Sequence, residues 1–162
     1  MATPVDTNYA GYIVLVVDDS DDLRALVAES LRKLGGFTVM TAEDGVVGLE
    51  RYFEVQPSCV VIDVKMPGLD GYQLVRALRG DPASAATPLV ILSAMVQERD
   101  RFAGLVAGAD EYLVKPVSPL ELVQTIRRVI DRTEAERRER LRALLTDDEA
   151  EPPRKPPEER AE

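Results

Sequence analysis

This sequence predicts an α/β fold, a five-stranded parallel sheet with helices on both faces, and three observations point to it. Five short apolar runs recur, at 12–17, 38–41, 59–62, 89–92 and 112–114. Most of them are continuous rather than alternating, the mark of strands covered on both faces. Segments of helical period separate each run from the next, so strand and helix alternate five times. Such alternation requires crossover connections of one hand, and these give parallel strands. Ligands of such sheets bind beyond the carboxyl ends of the strands, which is where function is to be sought.

The first strand, 12–17, runs into Asp18-Asp19-Ser20. Leu23, Leu26, Val27, Ser30, Leu31 and Leu34 then follow the 3.6-residue period and form the expected apolar face of the first helix, which stops at Gly35-Gly36. After the run 38–41 comes a helical pattern over 45–54, and the run 59–62 leads into Asp63 and the turn Met66-Pro67-Gly68. A helix over 70–79 precedes the run 89–92, which ends at Ser93. A helix over 97–107 precedes the run 112–114, which ends at Lys115-Pro116, a bond that can be cis. Ser118-Pro119-Leu120-Glu121 opens the fifth helix as a capping box with proline at the first helical position.

No helix breaker follows Ile130 until Pro152, and the apolar stripe fades into the polar stretch 132–140. Glu134 with Arg138 and Glu136 with Arg140 stand i,i+4 in the favourable order. The expectation is a frayed, solvated continuation of the fifth helix over 134–148, with Leu141, Leu144 and Leu145 as a small sticky face. Residues 149–162, rich in Pro, Glu and Arg, cannot bury enough to fold and are expected to be disordered. Residues 1–11 are expected to be a flexible leader.

A chain of 162 residues that is 45% hydrophobic supports one core with tails, and 12–133 is the expected domain. A net charge of -9 argues against sequence-independent nucleic-acid binding and against binding an anionic membrane. Residues 1–11 lack the basic and apolar regions of a signal peptide, and no stretch is long and apolar enough for membrane insertion. A cytoplasmic location is expected. Cys59 is the only cysteine, so neither a disulfide framework nor a thiolate-rich metal site can form, and it reads as a small buried hydrophobe. There is no histidine, so any phosphohistidine chemistry would have to come from a partner.

Asp18 and Asp19 stand at the end of the first strand and Asp63 at the end of the third. If those strands are neighbours, three carboxylates share one crevice. Like charges about 4 Å apart repel by roughly 4 kcal/mol at an effective dielectric of about 20, so the crevice calls for a cation. Mg²⁺ suits it, because that ion accepts one or two carboxylates together with waters and phosphate oxygens. Ser93 and Lys115 end the fourth and fifth strands and add a hydroxyl and an ammonium for an incoming anion.

The pair Asp18-Asp19, Asp63 within Ile62-Asp63-Val64-Lys65-Met66-Pro67-Gly68-Leu69-Asp70-Gly71, the pair Ser93-Ala94, and Lys115-Pro116 resemble the receiver domain of two-component response regulators over about 12–133. The resemblance implies a flavodoxin-like, doubly wound sheet of strand order 2-1-3-4-5. It implies that Asp63 is the phosphoacceptor, that Asp19 and Asp63 hold Mg²⁺ with Asp18 acting directly or through water, and that the Lys65 backbone carbonyl adds a metal oxygen. It assigns the phosphoryl oxygens to Ser93, the Ala94 amide and Lys115, and a conformational switch to Ser93 and Tyr112. Lys65 and Met95 fall at positions that tune phosphoryl lifetime in the family. The implied donor is a sensor histidine kinase or a histidine phosphotransfer protein. The implied output is an unidentified protein reading the surface of the fourth helix, fifth strand and fifth helix.

On this reading the chain is a phosphoacceptor signalling domain of the single-domain type, not a turnover enzyme. A competing possibility is a Mg²⁺-dependent phosphohydrolase with an aspartyl-phosphate intermediate. Haloacid-dehalogenase-like enzymes of that kind carry an acid two positions after the nucleophile, where this chain has Lys65. A phosphoryl shuttle or sink without its own target would use the same residues. A homodimer formed through a helix over 132–145 would add a second copy of the chain as partner.

Overall fold

The structure is a computed structural model and describes residues 9–132 and 134–149. Its elements in chain order are β1 (Ile13–Val17), α1 (Asp21–Gly35), β2 (Thr38–Ala42), α2 (Gly45–Val55), β3 (Cys59–Ile62), α3 (Gly71–Gly80), β4 (Leu89–Ser93), α4 (Glu98–Ala107), β5 (Glu111–Val114), α5 (Pro119–Asp131) and α6 (Glu134–Glu149). The strands are all parallel, in the order β2-β1-β3-β4-β5. This is the doubly wound order expected from the sequence. β1 and β3 are neighbours, and the register Val17 with Ile62 puts Asp18 and Asp63 side by side one step further on.

Because successive side chains of a strand point to opposite faces, each central strand supplies two cores. Leu15, Val17, Val60, Ile62, Leu89, Ile91 and Tyr112 pack with Leu74 and Leu78 of α3 and Leu105 of α4. Val14, Val16, Cys59, Val61, Val90 and Leu92 pack with Leu31 of α1 and Ile126 and Val129 of α5. The continuous apolar runs are thereby explained. Among the described residues no helix is long and apolar enough to cross a membrane.

Local signals set the helix ends. Ser20 caps α1 by accepting from the Leu23 amide, and Gly36 ends it in the left-handed conformation at φ 69°. Ser118 caps α5 with Pro119 in its first turn. A reciprocal capping box forms in α3, where Asp70 accepts from Gln73 N and Gln73 returns the bond to Asp70 N.

Two expectations change. On α1 the buried residues are Ala28, Leu31 and Gly35, whereas Leu23, Leu26 and Leu34 are 40%, 60% and 54% exposed. Leu31 and Val27 of the expected face do pack inward, beside the small Ala28 and Gly35, where a Cβ on Gly35 would stand 2.4 Å from the Phe37 ring. Leu23, Leu26 and Leu34 share the period but face outward. Second, the fifth helix does not run on: Arg132 is extended, with φ -73° and ψ 134°, and α6 is a separate helix that packs against α4. Of the tail expected at 149–162, residues 150–162 lie outside the described residues, as do residues 1–8 of the expected leader.

Candidate functional site

The carboxyl edge of the sheet gathers the residues singled out from the sequence. Asp18, Asp19 and Asp63 offer carboxylate oxygens that all lie within 4.8 Å of one another. Asp18 is buried and held: one oxygen accepts from the Ser20 amide at 2.9 Å and the other from Lys115 Nζ at 3.0 Å. Arg24 of α1 donates to the Asp18 carbonyl at 2.8 Å, fixing the backbone there. Asp19 is exposed. Asp63 is tied through its amide to the Val17 carbonyl at 2.9 Å, and its carboxylate lies 3.6 Å from Lys115 Nζ.

Lys115 thus bridges Asp18 and Asp63, closer to Asp18, in a cluster that holds three carboxylates. The deficit shows in the Asp63 carboxyl, whose pKa is pushed up by burial and by the Asp18 and Asp19 charges, with Lys115 and the Val64 backbone opposing. A crowded, all-oxygen donor set with excess negative charge is what a hard divalent cation takes. The residues present therefore fit such an ion. Lys65 is exposed and lines a shallow depression that shares Asp19 with the crevice and is otherwise bordered by Val64, Met66, Pro67, Asp70, Tyr72 and Met95.

The other predicted residues also reach this edge. Ser93 ends β4 and is buried; its carbonyl accepts from the Lys115 amide at 2.8 Å, and its hydroxyl oxygen accepts from Met95 N at 3.2 Å. Ala94 is exposed beside it. The Lys115–Pro116 bond is cis. Tyr112 is buried among the core residues beneath α4, and its hydroxyl donates to the Met95 carbonyl at 2.9 Å.

Reading the sequence did not assign roles to three residues at this edge. A Cβ on Gly71 would stand 2.3 Å from the Asp63 carbonyl oxygen, so only glycine lets α3 begin directly against the Asp63 backbone. Arg24 and Tyr72 act by position: Tyr72 donates to the Asp100 carbonyl at 3.0 Å and ties α3 to α4 beside the depression. Gly71 is legible as a glycine one residue into a helix, where glycine otherwise costs stability. The other two carry no such signal.

The chain matches the family model described as the response regulator receiver domain over residues 14–127. It is 44% identical to the transcriptional regulatory protein PrrA of Mycobacterium leprae (strain TN) over 128 residues, which is 79% of this chain and 54% of that protein. It is 41% identical to the probable transcriptional regulator ycf27 of Guillardia theta over 120 residues, covering 74% and 46% respectively. The chain thus matches about half the length of these curated relatives. Among solved structures, the chemotaxis protein CheY4 of Vibrio cholerae aligns at TM-score 0.69 with 33% identity, over 73% of this chain and 98% of that one. A response regulator from Chloroflexus aurantiacus J-10-fl aligns at TM-score 0.71 with 33% identity, over 75% and 98%.

Proposed function

The chain belongs to the response regulator receiver domain family, and from that membership and the acidic crevice we propose that Asp63 accepts a phosphoryl group with Mg²⁺ bound by Asp18, Asp19, Asp63 and the Lys65 carbonyl. The observation that carries the proposal is the placement of the three carboxylates and Lys115 at one sheet edge, with Asp63 under-neutralised.

A carboxylate oxygen of Asp63 attacks the phosphorus of a phosphohistidine presented by a sensor kinase or phosphotransfer protein. The new O–P bond forms as the P–N bond breaks, and the electron pair leaves with the donor's imidazole. No general base is required, because the carboxylate is already the nucleophile. Bound Mg²⁺ supplies charge neutralisation for the equatorial phosphoryl oxygens. Lys115 moves its attention from Asp63 to the phosphoryl group, and Ser93 and the Ala94 amide hold its remaining oxygens. The exposed Leu23 and Leu26, just beyond Asp19, give a donor protein an apolar foothold beside the crevice.

The switch acts through Met95. Its amide is bound to Ser93 Oγ and its carbonyl to the Tyr112 hydroxyl, so a serine drawn to a phosphoryl group releases the loop that carries the tyrosine's partner. Tyr112 already points inward. The domain works in the cytoplasm as a stoichiometric acceptor rather than a turnover enzyme, and hands the change to a protein that reads α4, β5 and α5. Addition of beryllofluoride with Mg²⁺ is expected to shift the amide resonances of Ser93, Ala94, Tyr112 and Lys115 well beyond those of β2. Unmoved resonances at Ser93 and Tyr112 would refute the switch.

A further inference from the structure

α6 lies beyond the residues matched to the family, and it is held at the opposite end of the sheet from Asp63. Its attachment is narrow. Among its residues with described side chains only Arg137 and Leu144 are not exposed, and they stand seven positions, about two turns, apart on one face. Arg137 donates to the carboxylate of Asp110, whose side chain is 0% exposed, and to the Ala86 carbonyl at 2.7 Å. Leu144 packs against the apolar core, and Arg140 reaches Glu111 at 2.9 Å. Between helix and body remains a cavity of about 270 Å³, lined by Leu105, Val106, Leu141 and Leu144 among others, so the seat is incompletely filled.

Departure of α6 would strand no buried charge. Asp110 would keep Arg79 at 3.0 Å and the Leu89 amide at 2.8 Å, and Glu111 would keep Arg128 of α5 at 3.5 Å even where straightening carries Arg132 away. Breaking a buried pair is severe when an ion is left alone, and here none is. The bend that brings α6 back also has no local cause: Asp131-Arg132-Thr133-Glu134 holds neither glycine nor proline. The break is stabilised instead by Arg132, which binds Glu111 and the Asp110 carbonyl. A straight α5–α6 helix is the local preference, and a straightened α6 points away from its own seat.

From these features we infer that the surface beneath α6 is a docking site for a second copy of this chain, which fills it with its own α6 in exchange. The guest residues are Arg137 and Leu144, and the host residues are Asp110, Leu105, Val106 and the Ala86 carbonyl. Such exchange reuses contacts that the chain already makes with itself, the low-cost route to a closed dimer. Proximity favours the self-docked form at low concentration, and exchange rises with concentration.

The test uses two full-length chains, each carrying Cys59→Ala. The host carries Val106→Cys and the guest Leu141→Cys, both at exposed cavity-lining positions. After mixing and mild oxidation, covalent heterodimer is resolved by mass. Adding Arg137→Ala to the host frees its seat and is expected to raise the yield about five-fold. Adding it to the guest instead removes the anchor and is expected to lower the yield about five-fold. Random collision would give equal yields in both arrangements, and that result, or no heterodimer with the freed host, overturns the inference. Labelling of Asp63 in the same samples reads the receiver function separately.

Discussion

The two ends of the central sheet use the same residue types to opposite effect. At the carboxyl end Asp18 and Asp63 share one lysine, Lys115, and Asp19 adds a third carboxylate to the cluster. At the amino end Asp110 and Glu111 are bound by Arg79, Arg128, Arg132, Arg137 and Arg140. The pKa directions follow. Asp63 is raised by burial and its acidic neighbours. Burial also pushes Glu111 upward, but hydrogen bonds from Arg140 and Arg132 outweigh it and hold Glu111 below the usual range. Surplus negative charge makes a reactive site, whereas surplus positive charge makes a fastening.

The largest test of this contrast is Arg79→Ala. It removes one of the two arginines on a fully buried carboxylate together with bonds to the Gly108, Ala85 and Thr87 carbonyls, which no other side chain among the described residues replaces. The expected loss is about 3 kcal/mol in denaturant unfolding. A loss below about 1 kcal/mol would mean that Arg137 alone suffices and that the fastening is redundant. Arg137→Ala should cost less, about 1 kcal/mol, because Asp110 keeps Arg79 and the Leu89 amide.

At the other end the sign reverses. A carboxyl whose folded pKa is raised costs stability once ionised, so Asp63→Asn should raise the Tm of the Mg²⁺-free protein at neutral pH. The gap between variant and wild type should close as pH falls through the raised pKa of Asp63. Saturating Mg²⁺ should stabilise the wild type and not the variant. A destabilised Asp63→Asn would show that the crevice is already neutralised. The smallest effect is at Glu111, whose contribution is present above its unfolded pKa and is lost as pH falls through its lowered folded value. Arg140, partly exposed, should contribute only a few tenths of a kcal/mol to it, read as a slightly earlier acid transition in Arg140→Ala.

The sheet and the crevice were legible because their signals are local. Strands buried on both faces read as continuous apolar runs, and Asp18, Asp63, Ser93 and Lys115 each follow such a run directly. What escaped depends on surfaces far apart in sequence. Periodicity weights Leu23, Leu26 and Leu34 as heavily as Leu31, yet α1 turns Ala28, Leu31 and Gly35 inward, and at Gly35 the Phe37 ring leaves no room for a side chain. The bend before α6 is written in no local residue. It comes from Asp110 and Glu111, more than twenty positions upstream, drawing Arg132, Arg137 and Arg140 back to the sheet. Arg79 likewise reads as an ordinary helix-end cation until Asp110 is placed beside it.

The most direct test of the central claim is site-mapped labelling. The protein is incubated with Mg²⁺ and acetyl phosphate, and the added mass is located on peptides spanning Asp18, Asp63 and Asp110. The account predicts one phosphoryl group on Asp63, none on the arginine-bound Asp110, and no label at all in Asp63→Asn. Label on Asp18 or Asp110, or an unmodified Asp63, would contradict it.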